Sequence, residues 1–160
     1  MALILQRQSK YVLADDAWAT GVDVIVPAAQ LDASSFAHAG RTGVRLPNDH
    51  GLEAILPWLE KLALIAIEFP KHVDGRGYSL ARLLRERHGY TGELRAVGNV
   101  LRDNLLFMHR CGFDAFELDP KYGPGGLDPE EALKAFDDFD VFYQAAADVR
   151  LPLWKRVSRA

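Results

Sequence analysis

The spacing of apolar residues changes near residue 64, and the change divides the chain into two parts. Leu64-Ile65-Ala66-Ile67-Glu68-Phe69 is an almost unbroken apolar run closed by Pro70, the pattern of a strand covered on both faces in a parallel sheet. Leu80, Leu83 and Leu84 then recur at helical spacing between the polar Arg82, Arg85, Glu86 and Arg87, and Gly89 stands where a helix ends. The unit repeats. Residues 93–97 predict a second strand and Gly98-Asn99 its turn. Leu101, Leu105, Met108 and Cys111 form a helical stripe that Gly112 stops. Residues 113–118 predict a third strand. Asp128-Pro129-Glu130-Glu131 combines a cap, a first-turn proline and two acids, and predicts a helix to about Ala147 with Leu133, Phe136, Phe139, Phe142 and Tyr143 at its apolar positions.

The pattern before residue 63 is more broken. Residues 2–5 and 11–14 predict a hairpin through Gln8-Ser9-Lys10, and the β-branched run 22–27 predicts a strand stopped by Pro27. Asp32, Ser34 and Ser35 predict a short helix or turn within 31–39. Residues 43–46 predict a short strand before Pro47. Asn48 is then placed to cap a helix over 51–61 that Pro57 shortens. Together these elements predict one α/β domain over 1–160, with a βαβαβα core over 63–147 and an irregular N-terminal segment containing β-structure. Consecutive strand–helix units imply a parallel sheet with right-handed crossovers, either open and doubly wound or barrel-like.

That topology has a chemical consequence. The loops that follow parallel strands gather at one edge of the sheet, where such folds bind ligands. Asp74, Gly75, Arg76, Gly77, Tyr78 and Ser79 come from the first loop, Asn99 and Arg102 from the second, and Glu117 from the third. The glycines let backbone amides approach a ligand, Ser79 has the chemistry of a helix cap, and the helix start favours an anion. Arg76 adds a planar fork of donors. The alternative is that Asp74 neutralises Arg76 and the loop is only a turn. Arg102 lies in a first helical turn, against the helix dipole, which predicts a specific partner for it.

Composition narrows the function. The chain has 160 residues and a formal net charge of −3, so no global field draws it to nucleic acid or anionic lipid. The lone Cys111 cannot form an internal disulfide, and its place before a helix-ending glycine predicts a buried structural thiol. With neither the basic start nor the apolar run of a signal peptide, and no stretch of the roughly 20 apolar residues a membrane span needs, the expectation is a cytoplasmic protein without a membrane span. His38, His50, His72, His88 and His109 show no metal-ligand spacing. The absence of a dinucleotide fingerprint, a cysteine pair or cluster-ligand spacing predicts no bound metal, flavin, haem or iron–sulfur cofactor.

Several stretches carry a family resemblance: Glu68-Phe69-Pro70-Lys71, Asp74-Gly75-Arg76-Gly77-Tyr78-Ser79-Leu80-Ala81-Arg82-Leu83-Leu84-Arg85, Gly92-Glu93-Leu94-Arg95-Ala96-Val97-Gly98-Asn99-Val100-Leu101-Arg102-Asp103 and Arg110-Cys111-Gly112-Phe113-Asp114-Ala115-Phe116. Over 63–118 the chain closely resembles a bacterial domain-of-unknown-function family whose members are labelled probable oxidoreductases of sulfite reduction. The resemblance implies a place in assimilatory sulfate reduction, with sulfite reductase or another enzyme of that pathway as partner. It implies no catalytic residue. Three roles follow as expectations: an accessory, partner-binding protein; an enzyme acting on a small anion at the strand edge; or a structural subunit of a homo-oligomer, with Trp58, Trp154 and the Phe-rich last helix as its apolar surface.

Overall fold

The computed structural model describes residues 2–147 apart from Ser9, Ala19, Thr20, His72, 123–127, Val141 and Tyr143. Among these residues, seven strands build one sheet: β1 (Leu3–Arg7), β2 (Lys10–Ala14), β3 (Val24–Pro27), β4 (Thr42–Pro47), β5 (Leu62–Phe69), β6 (Glu93–Gly98) and β7 (Ala115–Glu117). Their order is β2-β1-β7-β6-β5-β4-β3. β3 to β7 are parallel neighbours, and β1 adds antiparallel to β7 and carries β2 as a hairpin partner. The three strands expected after residue 63 therefore lie side by side and parallel. The expected N-terminal hairpin forms too, turning through Gln8 at φ 48°.

Among the described residues, three α-helices accompany the sheet: α1 (Arg76–Glu86), α2 (Arg102–Arg110) and α3 (Pro129–Leu133). Side chains from all three, with those of the 3₁₀ turns Leu56–Lys61 and Lys134–Asp137, join one core with Ile65, Ile67 and Phe69 of β5, Leu94 and Ala96 of β6 and Phe116 of β7. The opposite face of the sheet holds a separate small cluster of Trp18, Leu64, Ala66 and Val97. Arg95 lies on that face, buried between Asp16 and Glu93. A doubly wound sheet reverses its strand order and packs helices on both faces. Here β3 to β7 run in chain order and the helices share one core, and the molecule is a mixed α/β fold with a mostly parallel sheet.

Three expectations are corrected by local chemistry. α1 begins at Arg76, not at Ser79, because the Asp74 carboxylate already accepts the Arg76 backbone N–H at 3.2 Å. Ser79 is an exposed residue of the first turn. Asn48 caps no helix: the helical segment after it is a 3₁₀ turn that begins only at Leu56. The helix from Asp128 keeps its expected start, with Asp128 accepting the Glu130 N–H at 2.9 Å, but leaves α geometry after Leu133. Asp137, Asp138 and Asp140 follow, and carboxylates oppose the negative end of a helix dipole.

Candidate functional site

The C-terminal ends of β4 to β7 present four loops in a row. After β4, Asn48 turns inward and is 3% exposed, while Asp49 and His50 face solvent and pair at 3.2 Å. After β5, a turn closed by Asp74 N–H donating to Lys71 O at 3.1 Å sets Asp74 at the start of α1. Asp74 accepts Arg76 Nε at 3.0 Å and Arg76 Nη2 at 2.6 Å, so the Asp74–Arg76 pairing weighed as the alternative is present. The hydrogen bonds from the Arg76 side chain, then its backbone N–H, hold the Asp74 carboxyl far below its ordinary pKa, with a smaller contribution from the Asn48 amide.

The glycines of this loop differ in role. A Cβ on Gly75 would meet open space, whereas one on Gly77 would lie 2.6 Å from the buried Phe69 ring. Gly77 thus makes room for the core rather than for a ligand. Tyr78 reaches from α1 to α2, where its hydroxyl accepts Asn104 Nδ2 at 2.7 Å, and its ring packs against those of Phe69 and Phe107. Burial raises the pKa of its hydroxyl.

After β6, Gly98 adopts φ 96° with its Cα against the Phe69 carbonyl, an approach that only glycine permits. Asn99 N–H donates to Phe69 O at 2.8 Å, and Asn99 Nδ2 donates to Asp119 Oδ2 at 2.7 Å, which ties the loop after β6 to the loop after β7. The Lys121 backbone N–H lowers the Asp119 pKa, with help from Asn99. Arg102 begins α2, with its own N–H donated to the Tyr122 hydroxyl at 2.9 Å. Its expected partner is Asp138, held bidentately at 2.9 and 2.8 Å. Glu117 shares with Ala115 the sheet face away from the helices, since Phe116 between them enters the main core, so it stands apart from the Asp74 corner.

The structure therefore brings Asp74, Gly75, Arg76 and Asn48 together at the start of α1. Asn99 and Asp119 form the neighbouring pair, and Arg102 is committed to Asp138. Asn48 was missed as a site residue; the available signal was a polar residue directly after a strand-closing proline. His72 lies outside the described residues. Cys111 is buried at the end of α2, as expected. The lowered pKa of Asp74 and of Asp119 favours their ionised forms, so neither carboxyl is suited to donating a proton at neutral pH.

Fold and site define a mixed α/β protein with a polar corner at the C-terminal ends of its parallel strands. The chain belongs to a family described as bacterial protein of unknown function (DUF934), whose model matches residues 43–154. No curated protein matches it. Among the described residues, no helix is long and apolar enough to cross a membrane.

Proposed function

We propose that this protein is an accessory, partner-binding component of assimilatory sulfate and sulfite reduction, acting through the corner formed by Asn48, Asp74 and Arg76. It engages sulfite reductase, another enzyme of the pathway or a pathway intermediate. The pathway comes from the family resemblance of residues 63–118. The observation that favours binding is the Asp74–Arg76 pair, held at 2.6 Å with the Arg76 side chain 59% exposed, a charged surface feature that a partner can engage. An enzyme acting on a small anion would need another group for proton transfer.

A structural role in a homo-oligomer is the second proposal, and one observation favours it. β3 is an edge strand of the sheet, Val24 and Ile25 on it are 41% and 38% exposed, and Val22 just before it is 65% exposed. Of the surface first expected for that role, Phe136 and Phe142 are buried and Trp58 is half-buried in a stack on Phe36, while Phe139 is 66% exposed and Trp154 lies outside the described residues. Growth of a deletion strain tests the pathway. The strain is expected to need added cysteine on sulfate medium. Wild-type growth on sulfate alone contradicts the assignment.

A further inference from the structure

Asn48 carries an unanswered hydrogen-bond donor. Its side chain is buried, and Nδ2 has no partner. Folded proteins retain few such groups, because a donor taken from water without an acceptor is unfavourable. The Asn48 amide is near enough to the Asp74 carboxylate to contribute to its lowered pKa, while Nδ2 makes no hydrogen bond. Asp74 is turned instead to Arg76, serving Nε, Nη2 and the backbone N–H. One carboxylate thus has two candidate partners and serves only one.

We propose that Arg76 and the first turn of α1 bind a small tetrahedral oxyanion, and that the site opens when Asp74 turns from Arg76 to the buried Asn48 amide. The exchange leaves every donor satisfied. The ligand oxygens take the guanidinium and the backbone N–H at the helix start, and the carboxylate takes Asn48 Nδ2. The Arg76 side chain is 59% exposed, so the ligand reaches it from solvent. α1 runs for 11 residues and directs its positive end at the same point. Asp49 is the remaining charge that acts on Arg76, and it works against the anion while held by His50. Asn48 is too buried to touch the ligand. It is a positioning residue whose influence runs through Asp74.

The inference shares with the proposed function the placement of the site at the strand edge, but it does not depend on the pathway. The full chain is titrated with inorganic sulfate, and separately with inorganic phosphate, at constant ionic strength. Amide NMR follows the Asn48 side chain and the backbone of Arg76 and Gly77, and the same spectra report folding. A saturable shift at all three positions is expected with at least one anion, and Arg76→Ala is expected to remove it. Asn48→Ala is expected to weaken binding about tenfold in the native chain and to have no effect in an Asp74→Ala chain, where there is no carboxylate to draw away. Asp74→Ala alone is expected to bind more tightly than the native chain. No saturable shift with either anion overturns the site. Native affinity in Asn48→Ala, or unchanged or weaker binding in Asp74→Ala, overturns the exchange. A chain that binds an anion but is dispensable for growth on sulfate fails the pathway alone.

Discussion

Gly75 and Gly77 are two residues apart on the same turn, and their surroundings predict opposite responses to one added methyl group. Gly75 has φ −74° and open space at its Cβ position, so Gly75→Ala is expected to be neutral or to stabilise by up to about 1 kcal/mol through the unfolded chain. Gly77→Ala drives a Cβ into Phe69, which Tyr78 and Phe113 hold from other sides. Helix propensity favours alanine there by about 1 kcal/mol, but overpacking outweighs it, and a net loss of roughly 1–2 kcal/mol is expected. Urea midpoints of the two variants check both signs. The sequence shows two glycines at a strand–helix turn and no way to separate them, because the ring that needs the space arrives from β5 only after folding. Asn48 was hidden for the same reason: its burial depends on the neighbouring strand's loop.

Arg95 is a second residue whose role depends on the fold. Its side chain is 2% exposed and is held by Asp16 and Glu93, which are 32% and 25% exposed. Arg95→Ala is expected to cost about 2–3 kcal/mol at neutral pH, less than a fully buried pair because both carboxylates keep contact with water. Burial raises the Asp16 pKa, but the Arg95 hydrogen bonds and the Trp18 N–H outweigh it, and the net shift is downward from 3.8. A lowered carboxyl contributes stability above its unfolded pKa and loses it as pH falls through the folded value. The gap between native and Arg95→Ala stability should therefore narrow as the pH is taken below 3.8, as measured by urea unfolding across that range.

At the scale of elements, local pattern was a good guide where one element decided its own form. The run in β5, the stripes of α1 and α2 and the Asp32 cap on the 3₁₀ turn Ala33–Phe36 all follow from their own residues. The segment after Asp128 did not, because its course is set by partners far away in sequence. Phe136 stacks on Tyr11 of β2 with ring centroids 3.8 Å apart and touches Phe116 of β7 at 5.4 Å, while Asp138 is drawn to Arg102. These contacts fix the segment over the hairpin end of the sheet. Phe136→Ala is expected to destabilise the fold by roughly 3–4 kcal/mol. A smaller loss, near that of an exposed aromatic, would show that the last segment is not part of the core.

For the whole molecule, the parallel character of the sheet was legible in the spacing of strands and helices, and the strand order was not. Periodicity shows that a strand is covered on both faces, but not what covers each face. Here helices cover one face, and Trp18 packs on the other, with the Arg41 guanidinium 4.5 Å above its ring. Chain-order strands place the loops after β4, β5, β6 and β7 in one row, which is why Asn48, Asp74 and Asn99 face the same end. The claim that the protein acts through this row rests on Arg76, an exposed side chain whose removal leaves the core intact. The most direct measurement is complementation of the deletion strain on sulfate by Arg76→Ala, with the melting temperature of the purified variant taken alongside. The account predicts a native melting temperature and no growth. Full growth by the variant, or failure that coincides with unfolding, would contradict it.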